Sequence, residues 1–226
     1  MKDHQPTFTT DRVRAVLLDF DGPVCSAFAG YPAASVASDL LILAARSGAG
    51  VAGAVDTSDP MQVLRILHRQ DPHLHPQMEE FLTVAELASL AQTAPHPGAV
   101  GVLEQCWASG RPVAVVTNNS AEAVAAFLAR HGLQHLVEGV HGRDRDDPAL
   151  MKPHPHLLEA ALRQLGVRAG ECLMVGDSVT DIEAAHAVGA MAVGYANKPG
   201  KAERFRALGC DLVIHSMDEL ATALKA

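Results

Sequence analysis

The sequence is poor in aromatic residues, lysine and cysteine, and it lacks a long apolar run. Aromatic residues make up 4% of the 226 positions while alanine is abundant, which favours helices packed closely against a sheet. No apolar run approaches the roughly 20 residues that a membrane-spanning helix needs, so no membrane partner is expected. The formal net charge of -8 has the wrong sign for a nonspecific nucleic-acid binder, so nucleic acid is not an expected partner either.

The cysteines are too widely spaced to indicate a zinc site. They are Cys25, Cys106, Cys172 and Cys210, and no two of them form a CxxC pair. Small buried thiols are therefore predicted. The polar residues 1–14 lack the continuous apolar segment of a signal peptide, so a cytoplasmic protein is expected. Whether it is a monomer or a homodimer is left open.

A short apolar run at residues 15–18 predicts a first strand that is buried on both faces. The next stretch contains only helix patterns, at residues 32–47, 60–70 and 76–93, and a loop at 48–57 that is predicted to form part of a lid. From Gly98 onward, helices alternate with predicted strands at residues 113–116, 137–141, 172–175, 191–194 and 212–214. This alternation predicts an α/β fold with a parallel sheet and a helical segment inserted after its first strand.

Polar side chains lie where several of the predicted strands end. The residues that follow such ends are Asp19, Asp21, Thr117, Asn118, Asp177 and Asp181, and Lys152 precedes the helix predicted to start near Pro155. In parallel α/β sheets, ligands bind beyond the carboxyl ends of the strands. The sequence therefore predicts one functional site that gathers these residues at one edge of the sheet.

The carboxylates form two pairs whose spacing suits a shared cation. Asp19 and Asp21 are two residues apart, so in an extended strand they share one face. Asp177 and Asp181 are four residues apart, so they share one face if a helix has begun by Asp177. Mg²⁺ takes oxygen ligands and keeps several waters, so a few carboxylates suffice to predict a magnesium site. Helix capping is the alternative for the second pair, and it is compatible with metal binding.

Lys152, Thr117 and Asn118 are candidates for binding an anionic group. Lys152 is followed by Pro153, which restricts the backbone around it, and an ammonium held there would neutralise a phosphoryl oxygen. Thr117 and Asn118 offer a hydroxyl and an amide just before a predicted helix N-terminus near Ser120, where free N–H groups favour anions. A solvated lysine and a simple turn are the alternatives for these residues taken singly.

Taken together, these motifs resemble the haloacid dehalogenase superfamily of phosphatases, in the subgroup similar to phosphoglycolate phosphatase. The family motifs occur in order as Asp19-Phe20-Asp21-Gly22, Thr117-Asn118, Lys152-Pro153, and Gly176-Asp177-Ser178 through Asp181. The resemblance covers the chain apart from its N-terminal tail. It implies a Rossmann-like doubly wound core at residues 1–24 and 96–226, with a small α-helical cap at residues 25–95 inserted after the first strand.

The resemblance also implies a Mg²⁺-dependent phosphohydrolase that acts on a small phosphorylated metabolite through an aspartyl-phosphate. Asp19 would be the nucleophile, and Asp21 would be the general acid and base. Thr117, Asn118 and Lys152 would bind the phosphoryl group, with Thr117 and Lys152 counted as catalytic. The Mg²⁺ ligands would be Asp19, Asp21 through its backbone carbonyl, Asp177 and Asp181.

Other chemistries of the superfamily fit this sequence less well or stay open. Its dehalogenases need no general acid at the position of Asp21, so this residue favours phosphoryl chemistry. Its phosphonate-hydrolysing members use a lysine of the cap, and no lysine occurs between Lys2 and Lys152. A phosphomutase or other phosphotransferase on the same core remains an alternative. So does a non-catalytic phosphoacceptor module of the kind found in signalling receiver domains.

Overall fold

The computed structural model describes residues 10–48 and 55–225 of the chain. The described residues form one parallel sheet from β1 (Ala15–Leu18), β2 (Val113–Val116), β3 (Gly139–His141), β4 (Cys172–Gly176), β5 (Met191–Tyr195) and β6 (Leu212–Ile214). Their order across the sheet is β3-β2-β1-β4-β5-β6, so the chain winds outward in both directions from β1. This doubly wound order confirms the predicted Rossmann-like α/β fold.

Helices follow every strand, and four of them lie between β1 and β2, the first three being inserted ahead of the helix that leads into β2. These three are α1 (Ala33–Arg46), α2 (Pro60–Gln70) and α3 (His75–Leu90). The others are α4 (Pro97–Ala108), α5 (Ala121–Arg130), α6 (His156–Leu165), α7 (Val179–Val188), α8 (Lys201–Ala207) and α9 (Met217–Ala223). Asp59 caps α2 by accepting a hydrogen bond from the Met61 N–H, with Pro60 at the first helical position.

The sheet has an apolar cluster on each face because its central strand is buried on both sides. Val16 and Leu18 of β1 point to one cluster, where Phe20 meets Phe127 edge to face with ring centroids 5.1 Å apart. Ala15 and Leu17 point to the other cluster. The continuous apolar run of β1 thus has the pattern typical of a parallel strand covered by helices on both faces.

The inserted helices α1, α2 and α3 enclose an apolar cluster of their own. Its fully buried members include Leu40, Leu64, Met78 and Leu82, and Met151 joins them from the loop before α6. We call α1 to α3 the cap. The exact division into a core at 1–24 and 96–226 and a cap at 25–95 stays a prediction. Residues 49–54 of the predicted lid loop lie outside the described residues.

Some elements begin at other residues than the sequence pattern predicts. β3 begins at Gly139 rather than at residue 137, because a 3-10 turn at Gln134–Leu136 precedes it. α7 begins at Val179 rather than at residue 182, because Ser178 caps it. None of the helices built from described residues combines the length and the hydropathy that crossing a bilayer would require.

Replacing Leu17 with alanine should lower the free energy of unfolding by about 2–5 kcal/mol, because the truncation leaves a cavity in a fully buried strand. Urea denaturation followed by circular dichroism measures the change. The matched control is Val84→Ala in α3, where the side chain is 54% exposed and the expected change is within about 0.5 kcal/mol. Equal losses in the two variants would contradict this account of the core.

Candidate active site

The predicted site residues meet at the carboxyl ends of β1, β2 and β4. Asp19 continues β1, and its backbone N–H donates to the Val175 carbonyl at 2.9 Å. A cavity of about 360 Å³ lies between this edge of the sheet and the cap, and all seven predicted site residues line it. A second cavity of about 530 Å³ at the opposite edge, lined by Arg14 and Glu171 among others, contains none of them.

Lys152 is a fully buried lysine at the centre of the site. Its ammonium donates to Asp19 Oδ1 at 2.8 Å, to Asp181 Oδ1 at 2.5 Å and to the Val116 carbonyl at 2.7 Å. These three bonds use all three ammonium protons. Lys152 therefore neutralises and orients the two carboxylates, and it does not present a spare proton to the cavity.

Asp19 and Asp21 both hold protons more tightly than ordinary aspartates do. Burial and, to a lesser extent, the negative charge of Asp181 raise the pKa of Asp19 to about 8, although Lys152 opposes both effects. Burial also raises the pKa of Asp21 to about 6, against the hydrogen bond that its Oδ1 accepts from the Ala27 N–H at 2.8 Å. The site thus has more buried negative charge than its own cations neutralise.

Asp177 has cationic and amide partners that the sequence analysis missed. Lys201 at the start of α8 donates to Asp177 Oδ2 and to its backbone carbonyl, both at 2.6 Å. Asn197 donates to the same carboxylate oxygen at 2.9 Å and accepts from Lys201 at 2.8 Å. The only available signal in the sequence was position, since both residues follow β5 at the same edge of the sheet.

Asp181 is placed by helix capping, the alternative that the sequence left open for this pair of carboxylates. The helix α7 begins at Val179, and Ser178 and Asp181 form a reciprocal capping box. Asp181 Oδ2 accepts from the Ser178 N–H at 2.9 Å, while its Oδ1 accepts from Lys152. Asp177 lies before the helix, yet the turn still brings it to the same side as Asp181.

One oxygen from each of Asp19, Asp177 and Asp181 lies within 4.8 Å of the others. These are hard oxygen donors with excess negative charge, so the residues present fit a divalent cation such as Mg²⁺. The carboxylate of Asp21 is outside this group, since it is bound to the Ala27 N–H. The Mg²⁺ ligand predicted from Asp21 is its backbone carbonyl.

Two glycines allow the carboxylates to come this close to the backbone. Gly22 has φ of +104°, and a Cβ there would lie 2.5 Å from Asp177 Cγ. A Cβ on Gly176 would lie 2.2 Å from Asp181 Cγ. Any larger residue at either position would therefore displace a carboxylate.

Thr117 and Asn118 occupy different positions at the end of β2. Thr117 is buried, and its hydroxyl donates to Asn119 Oδ1 at 2.9 Å and accepts from the Asn119 N–H at 3.2 Å. The amide of Asn118 accepts from the Lys152 N–H at 2.8 Å and donates to the Lys152 carbonyl at 3.1 Å. Asn118 therefore joins the loop after β2 to the loop that carries Lys152.

Arg65 of the cap contacts the loop that carries Lys152. Its guanidinium donates to the carbonyls of Lys152 at 2.7 Å, Met151 at 3.0 Å and Pro148 at 3.2 Å. Gln62, three residues earlier on α2, lines the cavity beside it. The cap thus closes over the site through a polar surface.

Comparisons with known proteins agree with the motifs and the fold. The family model described as haloacid dehalogenase-like hydrolase matches residues 13–189. A phosphoglycolate phosphatase from Pectobacterium atrosepticum is 45% identical over 92 residues, covering 41% of this chain. This match spans only 38% of that relative's length, and several other relatives of the same name match over less than half of theirs.

Two further similarities cover nearly all of the chain. A plasmid-encoded phosphoglycolate phosphatase from Cupriavidus necator is 32% identical over 222 residues, which is 93% of this chain and 92% of that protein. The crystal structure of CbbY from Rhodobacter sphaeroides in complex with phosphate has a TM-score of 0.72, covering 95% of this chain and 100% of that one. Its sequence identity is 20%, so this likeness shows the fold alone.

Mg²⁺ should stabilise the protein, and Asp177→Asn should remove most of that effect. At a free Mg²⁺ concentration of about 100 times the dissociation constant, binding adds roughly 2.7 kcal/mol to the free energy of unfolding. The melting midpoint then rises by roughly 5–10 °C. Thermal unfolding with Mg²⁺ or with a chelator measures it. The exposed Asp146→Asn is the matched control and should respond like the wild type. An unchanged response in Asp177→Asn would contradict the assigned site.

Proposed function

The chain belongs to the haloacid dehalogenase-like hydrolase family, and from this membership we propose that it is a Mg²⁺-dependent phosphatase of small phosphorylated metabolites. The observation that carries the proposal is the buried cluster in which Lys152 bridges Asp19 and Asp181 while Asp177 lies beside them. Such a cluster places the Asp19 carboxylate at the cavity and pairs it with the Lys152 ammonium. The neighbouring carboxylate oxygens are the ligands that a metal cation would bind. That arrangement suits phosphoryl transfer, which depends mainly on positioning and charge neutralisation.

Asp19 is the proposed nucleophile. One of its carboxylate oxygens forms a bond to phosphorus as the bond from phosphorus to the leaving oxygen breaks, which gives an aspartyl-phosphate. Lys152 holds the other side of this carboxylate through the 2.8 Å hydrogen bond to Oδ1. The nucleophile is thus fixed in direction, and Lys152 neutralises part of its charge before the substrate binds.

Asp21 is the proposed general acid and base. Protonated Asp21 gives its proton to the leaving oxygen in the first step. The carboxylate then takes a proton from water, whose oxygen attacks phosphorus as the bond to Asp19 breaks and phosphate is released. Its pKa of about 6, raised by burial, keeps both protonation states accessible near neutral pH.

The remaining residues bind the transferring group and the metal ion. Thr117 and the backbone N–H groups near it would hold phosphoryl oxygens. Asp19, Asp177 and the backbone carbonyl of Asp21 would hold Mg²⁺, with Asp181 acting directly or through water. When bound, the ion supplies positive charge to the phosphoryl oxygens.

Phosphoglycolate is the first substrate to test, and a broader phosphometabolite screen should accompany it. Relatives of this chain carry the name phosphoglycolate phosphatase, and the cavity of about 360 Å³ suits a small substrate. Phosphate release is the readout. A phosphomutase would instead isomerise a sugar phosphate with little free phosphate, and that result would replace the proposal.

We also propose a cytoplasmic location and leave monomer or homodimer as the two candidate states. All four cysteines are free thiols, as a reducing compartment would keep them. Burial raises the pKa of Cys25 well above its usual range, so this thiol beside the site is unsuited to nucleophilic attack.

Asp19→Asn should abolish hydrolysis of an aryl phosphate, with a loss on the order of 10³-fold or more, because an amide cannot attack phosphorus. Steady-state kinetics in the presence of Mg²⁺ measure the loss. Asp146→Asn, the same chemical change at an exposed position, should keep wild-type rates. Full activity in Asp19→Asn would refute the nucleophile.

The rate for an alkyl phosphate should fall as pH rises through about 6. With Mg²⁺ saturating, so that the cation rather than a proton neutralises Asp19, the protonation of Asp21 limits the rate. Burial raises the pKa of Asp21 from 3.8 to about 6, so its acid form dominates below that pH. The pH profile of kcat/KM measures this limb. The Asp21→Asn variant should lose this pH-dependent limb together with most of the activity. With the wild type, an aryl phosphate that has a good leaving group should show a shallower limb. A profile that Asp21→Asn leaves unchanged would assign the limb to another group.

A further inference from the structure

A second buried ionic cluster joins the cap to the core next to Thr117. Arg143, in the loop after β3, is fully buried and donates from Nε to Glu79 Oε2 at 2.7 Å. Its Nη2 donates to Glu79 Oε1 at 2.9 Å and to Glu86 Oε2 at 3.1 Å. Its Nη1 also donates to the Asn118 carbonyl at 2.8 Å. Both glutamates belong to α3, so one core guanidinium holds two carboxylates of the cap.

Glu86 has further partners in residues 117–120, the turn that the proposed function assigns to phosphate and that we call the phosphate-binding turn. Its Oε1 accepts from Asn119 Nδ2 at 2.8 Å, and its Oε2 accepts from the Ser120 N–H at 3.1 Å. Ser120 is the N-cap of α5, so the carboxylate also faces the positive end of that helix. Burial alone would lower the pKa of Arg143, but the charges of Glu86 and Glu79 hold it above its usual range.

These hydrogen bonds are donated in one direction, from the Thr117 hydroxyl to the Asn119 amide and from that amide to Glu86. An ionised carboxylate only accepts, so the donor side of the Asn119 amide faces Glu86. The acceptor side, Oδ1, is then left for the Thr117 hydroxyl at 2.9 Å. The Thr117 oxygen accepts from the Asn119 N–H, and its one proton, donated to Oδ1 in this structure, would turn to a phosphoryl oxygen when one binds.

We propose that Glu86 is a positioning residue for phosphoryl binding, which it performs from the cap by fixing Asn119 and, through it, Thr117. This inference rests on the proposed phosphatase function. It means that the phosphate-binding turn is completed by a cap side chain, so the turn has its binding geometry only when α3 is in place on the core. A purely stabilising role for the cluster would leave phosphate affinity unchanged.

Glu86→Gln is the discriminating variant because it keeps the side-chain shape. Each oxygen of Glu86 accepts from two donors, so the amide nitrogen of glutamine would face donors whichever way it turned. Either the Asn119 amide or the Ser120 N–H then loses its acceptor, so the turn that carries Thr117 is no longer fixed. The dissociation constant of inorganic phosphate, measured by calorimetry with Mg²⁺ present, should rise about tenfold. The Mg²⁺ affinity should stay the same, because no metal ligand is touched.

Glu80→Gln is the matched control on the same helix. Glu80 forms the exposed ion pair between cap and core with Arg145 at 2.9 Å, where the side chains are 64% and 56% exposed. This variant should bind phosphate like the wild type. Wild-type phosphate affinity in Glu86→Gln, with or without a loss of thermal stability, would overturn the inference.

Asn119→Ala tests the same chain of contacts if Glu86→Gln does not fold, since it leaves the contacts of Arg143 with both glutamates intact. It should weaken phosphate binding by a similar factor, and the double variant should be little worse than either single one. Wild-type binding in Asn119→Ala overturns the inference. A wild-type protein that binds phosphate but hydrolyses no ester refutes the proposed function alone, whereas one that binds no phosphate overturns the inference as well.

Discussion

The burial of the Lys152 ammonium between two carboxylates is the constraint on which the site depends. An isolated buried charge is strongly unfavourable, and removing one partner of such a cluster typically costs about 3–5 kcal/mol. Asp19 comes from the end of β1, Asp181 from the first turn of α7, and the third acceptor is the carbonyl of Val116 at the end of β2. Three separate segments must therefore pack around one ammonium, and the same segments line the cavity.

The charge balance of the site explains why it suits a metal-dependent reaction. Lys152 and Lys201 together face the carboxylates of Asp19, Asp181 and Asp177, and burial raises the pKa of Asp19 to about 8. The remaining negative charge favours a proton or a divalent cation. The cap meets the same edge of the sheet through Arg65 and through the Arg143 cluster, so the residues above the cavity are tied to the loops that form it.

Much of this arrangement was predictable from local patterns. Short-range preferences, which a sequence displays directly, explain three features. These are the apolar run before Asp19, the alternation of helices and strands after Gly98, and the capping residue of α2. The start of α7 was misjudged because Asp181 is both a capping residue and a site residue. The partners of Asp177 were missed because Lys201 comes from a distant segment, and no local pattern links the two.

The sequence by itself determined the fold class and the residues that could do chemistry at the strand ends, because hydrophobic periodicity and the polarity of a parallel sheet are encoded along the chain. Only the tertiary structure decided which of those residues touch. In it, Lys152 donates all three ammonium protons to acceptors of the core, and the Asn118 side chain binds the backbone of Lys152. Glu86 of the cap accepts a hydrogen bond from Asn119. Charge neutralisation in a buried site depends on distances between segments far apart in the chain, and spacing along the sequence does not contain those distances.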